Sequence, residues 1–279
     1  LANHGSGRPV IVLGTSFAEP VPQRPVADWR PWPASDGLIA RQEQRVLESI
    51  NQVLQRQQKP AIKLLADLYD VDTTFITTFP EFDLYPNRPK ALYGITRTPH
   101  GAREPVVWPA HDGPRIIAYL KPQYPQLPQL VEALARCNAS VFVACPHGNP
   151  ATFQPHVSSS FAFSTQLVEL ESAMQQADLF VGHGNMGSVA QSLLAGKPVV
   201  ALPVYLEQLL TGKKLQELGL GTLVEKIDSV SHLQALLEQR LADTACRKKV
   251  EAFAQRCQPL REKSLDALIA DRCAAILSD

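Results

Sequence analysis

The chain has 279 residues, enough for two domains or one large one with a sizeable core. Its 27 Lys+Arg balance 27 Asp+Glu, which argues against broad nucleic-acid binding, because that depends on neutralising phosphates. Cys137, Cys145, Cys246, Cys257 and Cys273 are scattered without CxxC spacing, so they read as reduced core thiols of a cytoplasmic protein, and no apolar run approaches the ~20 residues of a membrane span.

Taken in order, residues 10–13 are an apolar strand ending at Gly14-Thr15-Ser16. A proline-dense loop follows, holding Trp29 and Trp32. Ser35-Asp36 is expected to open a helix that runs to about Gln58, with Leu38, Ile39, Val46, Leu47, Ile50, Val53 and Leu54 on one face. Residues 61–69 read as a second short helix and 73–79 as a strand. Asp83 lies in the loop after it, where a turn aspartate needs no substrate to explain it. Residues 99–114, rich in proline and holding His100 and His111, read as a linker between a first domain at 1–98 and a second at 115–258.

From Arg115 onward strands alternate with helices, the pattern of a doubly wound parallel sheet in an α/β fold. Strands are expected at 116–120, 141–145 and, weakly, 157–163, with helices at 126–137 and 166–176. Cys145 and His147 stand close in sequence, but side chains at a strand end point in different directions, which weakens them as a thiol–imidazole pair. Amphipathic helices at 231–241 and 247–255 precede a last helix striped with Leu265, Leu268, Ile269, Cys273 and Ile276.

The informative stretch is 177–223, read as strand, glycine-rich turn, helix, strand, helix, strand. Its turn is Gly182-His183-Gly184-Asn185-Met186-Gly187-Ser188. Glycines allow a left-handed bend and a close ligand, and a helix start offers free N–H groups and partial positive charge to an anion. His183 adds a donor that is cationic when protonated, Ser188 a hydroxyl, and Asn185 a side chain that tolerates left-handed backbone. The spacing also satisfies GxGxxG, a dinucleotide fingerprint, but that motif needs an acidic residue at the end of the next strand; Glu207 has the right count and falls on the following helix. An NAD-dependent oxidoreductase is therefore the weaker alternative, and a turn that merely packs helix on sheet is another.

The run HGNMGSVAQSLLAGKPVVALPVYLEQ resembles the donor-binding signature of family 1 glycosyltransferases of the GT-B fold. The resemblance implies a Rossmann-type donor-binding domain plus part of a second α/β domain on the acceptor side. It further implies a final helix, 259–279, crossing back onto the first domain, and more acceptor domain ahead of Leu1 in a complete protein. By the same resemblance His183, Gly184, Asn185, Gly187 and Ser188 meet the diphosphate of a nucleotide sugar. Gln191 stands where a ribose-binding glutamate is usual, and Glu207 and Gln208 stand where an acidic-Gln pair binds the donor sugar. Lys121, Phe161 and Phe163 fall near further donor contacts. The implied reaction is inverting transfer of a sugar from a UDP- or dTDP-sugar to a hydroxyl of a small-molecule or lipid acceptor, without cofactor or metal. No catalytic base is assigned, since His4 does not match the family's early loop, and the chain alone is expected to be inactive. A nucleotide-sugar-binding protein without transferase activity is the main rival.

Overall fold

The computed structural model describes residues 4–28, 30, 32–33, 35, 37–85, 87–96, 103–262 and 265–278. The expected roles of Trp29, Asp36 and His100 lie outside these. The chain divides into two compact units, Leu1–Thr96 with Lys263–Asp279, and Arg97–Glu262.

In the first unit β1 (Ile11–Gly14), β2 (Thr73–Ile76) and β3 (Ala91–Tyr93) form a parallel sheet in that order. Between β1 and β2 runs α1 (Leu38–Arg56), which begins after Gly37 at φ 67. Of its expected apolar face only Leu54 is fully buried; Leu38, Ile39, Leu47 and Ile50 are half-buried, while Val46 and Val53 are exposed. The helix expected at 61–69 shrinks to one 3-10 turn, Leu65–Leu68. The unit is completed by α9 (Leu265–Ser278), whose Arg272 Nε donates to the Thr73 hydroxyl at 2.7 Å.

The proline-rich loop of this unit is held by an ion pair that is 2 % exposed on each side. Arg88 grips Asp83 through Nε at 2.8 Å and Nη2 at 3.1 Å, and its Nη1 donates to the Glu19 carbonyl at 2.5 Å. Asp83 also accepts from Ser16 Oγ (2.6 Å), the Tyr85 amide (2.9 Å) and the Tyr93 hydroxyl (2.8 Å). Burial alone raises a carboxyl pKa, but these donors, Arg88 first, outweigh it and hold Asp83 below the usual range. So Asp83 joins β3, the loop after β1 and the turn after β2 through its own hydrogen bonds.

The second unit is a six-stranded, wholly parallel sheet of β4 (Arg115–Tyr119), β5 (Ser140–Ala144), β6 (Phe161–Ser164), β7 (Leu179–Gly182), β8 (Val199–Ala201) and β9 (Gly221–Leu223). Their order across the sheet is β6-β5-β4-β7-β8-β9. The connecting helices are α2 (Leu127–Arg136), α3 (Leu170–Gln176), α4 (Met186–Leu194) and α5 (Leu206–Leu218), followed by α6 (Val230–Ala242), α7 (Thr244–Arg256) and α8 (Gln258–Glu262). β5, β7 and β8 are buried at every position, as strands covered on both faces must be, which is why they read in sequence as unbroken apolar runs. Among the described residues no helix is long and apolar enough to cross a membrane.

Candidate functional site

The strand order reverses between β4 and β7: the chain builds outward from β4 to β6, returns to β7, and builds outward the other way to β9. In open α/β sheets the crevice beyond the carboxyl ends of the strands at such a switch receives ligands. Here that crevice is bounded by Leu120-Lys121 after β4 and Gly182-His183 after β7. A dinucleotide fingerprint belongs after the first strand of such a sheet, which is β4, with an acid closing the second; the GxGxxG turn instead follows β7, and β8 runs into Leu202-Pro203. The oxidoreductase reading therefore has no support in the topology.

His183 is 3 % exposed. Its Nδ1 lies 2.8 Å from the Leu202 carbonyl, and its Nε2 lies 2.8 Å from the Lys121 amide. A carbonyl only accepts and an amide only donates, so the proton sits on Nδ1 and Nε2 is a bare acceptor. Burial pulls the imidazole pKa below its ordinary value, the Leu202 carbonyl works against that shift, and the nearby Lys121 charge adds to it. The Tyr124 ring packs alongside at 5.1 Å between centroids. Both ring nitrogens are occupied by backbone, and the ring ties together the ends of β4, β7 and β8.

After His183 the chain bends through Gly184 at φ 85, where an added Cβ would stand 2.8 Å from the Gln208 carbonyl oxygen. Glycine is thus required twice at this position. Asn185 is extended (φ −63, ψ 125); Gly184 takes the positive φ, which leaves Asn185 as the residue that opens α4. Its side chain does not cap the helix but accepts from the Gln208 amide. The first helical bond runs from the Val189 amide to the Asn185 carbonyl at 3.0 Å, so the amides of Met186, Gly187 and Ser188 lie ahead of the ladder. Ser188 Oγ donates back to the same carbonyl at 3.1 Å. Gly187 is exposed, and an added Cβ there would meet nothing within 4 Å. A nine-residue helix therefore presents a bare, uncapped start at the switch point.

Of the expected sugar-binding pair, Glu207 is exposed in the first turn of α5. Gln208 is 4 % exposed and turned inward: its Oε1 accepts from the amides of Val204 (2.7 Å) and Tyr205 (3.3 Å) while its amide group holds Asn185. These bonds cap the start of α5 and brace the glycine turn. Gln191 lies half-buried on α4, five residues after its first residue Met186. Lys121 is half-buried, and its ammonium lies 4.8 Å from the centroid of the Tyr205 ring. Tyr205, 58 % exposed, was not among the expected residues, because nothing in a single tyrosine before a helix marks it as the partner of a lysine from another strand.

Phe161 and Phe163 share one face of β6, as residues two apart must. Phe161 has no exposed surface and belongs to the core, which corrects the expectation of a donor contact there. Phe163 is half-buried and stacks on Phe153 at 5.1 Å. Cys145 is fully buried with its thiol pushed up to about 11 by desolvation, whereas His147 is exposed in a left-handed turn, so the two form no nucleophilic pair. A cavity of about 420 Å³ lined by Arg103, Glu104, His147 and Gln166 lies beyond the ends of β5 and β6. His4 bonds the Pro60 carbonyl at 3.0 Å. Among the described residues, no group of three His, Cys, Asp or Glu could hold a metal ion.

No protein-family model matches the chain. It is 33% identical over 96 residues to the NDP-glycosyltransferase YjiC of Bacillus subtilis strain 168, a match covering 34% of this chain and 24% of that protein. The matched stretch thus spans about a quarter of the relative. Among solved structures, the calicheamicin glycosyltransferase CalG4 superposes with a TM-score of 0.68 at 19% identity, over 97% of this chain and 68% of that one. The glycosyltransferase VinC, solved in complex with DTDP, gives a TM-score of 0.66 at 16% identity over 88% and 64% of the two chains. The chain is a homologue of the NDP-glycosyltransferases, and its fold is that of the GT-B glycosyltransferases.

Proposed function

We propose that this chain carries the donor site of a glycosyltransferase that moves a sugar from a UDP- or dTDP-sugar to a hydroxyl group of a small-molecule or lipid acceptor. Residues 115–258 hold the nucleotide sugar in this reading, and residues 1–98 belong to the acceptor side. The observation that carries it is the uncapped start of α4 at the switch point, with Gly187 open to solvent. Homology to an NDP-glycosyltransferase and the DTDP held by VinC point to the same class of ligand.

In the proposed reaction the acceptor oxygen attacks the anomeric carbon from the face opposite the diphosphate, inverting it. The bond to the diphosphate oxygen breaks with its electron pair, and the acceptor proton passes to a general base. Negative charge grows on the leaving diphosphate. Fixed N–H groups at Met186, Gly187 and Ser188 oppose that charge without reorganising, which is the most effective form of electrostatic stabilisation. Amides rather than a metal perform this role in the proposal, and Glu207 accepts from hydroxyls of the sugar.

Calorimetric titration with UDP, dTDP, GDP, their sugars and NAD, with EDTA and then with Mg²⁺, tests it. UDP or dTDP should bind in EDTA and, at 100 times Kd, stabilise the fold by about 2.7 kcal/mol. Binding only with Mg²⁺ overturns the metal-independent part, and binding of NAD in place of the diphosphates overturns the whole.

A further inference from the structure

The cavity of about 420 Å³ beyond β5 and β6 takes two of its lining residues, Arg103 and Glu104, from the stretch that the sequence presents as a linker. That stretch is tied to the loop after β6 by a parallel bridge between Glu104 and Val168. The Glu104 amide donates to the Leu167 carbonyl at 3.0 Å, and the Glu169 amide donates to the Glu104 carbonyl at 2.9 Å. Ser164 Oγ, at the end of β6, accepts from the Gln166 amide at 3.0 Å and donates to Glu104 Oε2 at 3.0 Å. The loop after β5 joins the same frame, since the His147 amide donates to the Thr165 carbonyl at 3.0 Å. Backbone and side chain thus fix where Glu104 points.

The second oxygen of Glu104 has no donor among the described residues, and the half-buried Arg103 guanidinium beside it has no acceptor among them. Burial raises the pKa of Tyr119 at the end of β4, and the Arg103 charge works against it, so the guanidinium stands near that strand as well. A carboxylate only accepts and a guanidinium only donates. Side by side, they suit a ligand edge that offers an N–H next to a carbonyl oxygen. The ring N–H and carbonyl of uracil or thymine form such an edge. Cytosine presents the reverse, a bare ring nitrogen next to an amino group. β6 lies two strands from β4, about 10 Å away at the usual strand spacing, so a nucleotide with its phosphates at the switch point can lay its base here.

We propose that Arg103 and Glu104 are specificity-determining residues that choose the donor's base, Glu104 accepting the ring N–H and Arg103 donating to the neighbouring carbonyl, so that uracil and thymine are taken in preference to cytosine. The proposal rests on the reading of the switch point as the nucleotide-sugar site. Selection of the base then lies with two residues ahead of β4, outside the glycine turn and the helices that follow it.

The test titrates UDP, dTDP and CDP into the full chain and into Glu104→Ala and Arg103→Met, with thermal midpoints measured alongside. The unaltered chain should bind UDP and dTDP at least roughly tenfold more tightly than CDP, because a mismatched edge leaves charged groups unpaired. Each variant should lose roughly tenfold in UDP affinity, the effect of one charged hydrogen bond, while CDP binds no more weakly than before. A merely structural role would weaken both nucleotides alike. If the unaltered chain binds none of the three, the reading of the donor site fails and this proposal with it. If it binds UDP and CDP equally, or if the variants keep the preference or lose both nucleotides in step, the donor site stands and the assignment of Arg103 and Glu104 falls.

Discussion

His183 Nε2 accepts the Lys121 amide at 2.8 Å across the point where the sheet reverses its strand order. The bond exists only while the imidazole is neutral at Nε2, so protonation breaks it. The folded pKa is lowered, so above about 6.5 both folded and unfolded imidazoles are neutral and the stabilisation is fully present. As pH falls below that value the unfolded state takes up the proton first, and stability is lost as pH drops through the folded pKa. Thermal midpoints should fall with acid below about pH 6.5, and His183→Ala should flatten that window. The same variant should cost about 1–3 kcal/mol at pH 8, because it strands a buried amide and carbonyl. An unchanged acid profile in His183→Ala would refute this role.

Glu207 and Gln208 are adjacent in sequence and do different things. Gln208 caps α5 and braces Asn185, so Gln208→Ala should lower stability by about 0.5–2 kcal/mol and weaken free UDP and UDP-sugar alike. Glu207 is exposed, and its loss should leave free UDP unchanged and weaken only the sugar nucleotide, by roughly tenfold or more. Titration of both variants with both ligands decides it. Equal loss of free UDP in Glu207→Ala would displace the sugar from this helix.

The doubly wound sheet is legible in sequence because its central strands are buried on both faces and appear as short apolar runs such as 141–144 and 179–182. β3 escaped because it is three residues long, half-exposed, and entered through Lys90 at φ 53, a conformation that lysine rarely signals. The glycine turn and the helix after it are legible from local chemistry alone. The tautomer of His183 is not, since it depends on Leu202 and Lys121, which are 19 and 62 residues away. Nor is the inward turn of Gln208, where an amide that suits a sugar equally suits its own helix start. Nor is the burial of Phe161, because the strand face it occupies is the core.

The Asp83–Arg88 pair gives a prediction for the first unit. Each partner is 2 % exposed, so removing one leaves a buried charge uncompensated. Asp83→Ala should cost about 3–5 kcal/mol. The folded pKa of Asp83 is lowered, so its contribution is complete above about pH 3.9 and is lost as pH falls through the folded value. That places it well below the acid window of His183. Denaturant unfolding of Asp83→Ala within about 0.5 kcal/mol of the parent would show that the pair is dispensable.

Gly184 and Gly187 separate what the fold needs from what the site needs. At Gly184 the backbone sits at φ 85 and a Cβ would meet the Gln208 carbonyl oxygen at 2.8 Å, so Gly184→Ala should destabilise by about 1–3 kcal/mol. At Gly187 the backbone is helical and the space beyond it is empty to 4 Å. Alanine is the better helix former by up to about 1 kcal/mol, so Gly187→Ala should hold or raise the thermal midpoint. If the turn serves only to pack α4 on the sheet, nothing else changes. If the empty space admits a diphosphate to the Met186, Gly187 and Ser188 amides, the added methyl stands in its approach, and UDP or dTDP affinity should drop by roughly tenfold while the fold gains. Opposite movement of stability and affinity in this one variant is the expected result. A Gly187→Ala chain that is as stable as the parent and binds UDP equally well would show that the start of α4 is not where the phosphates lie.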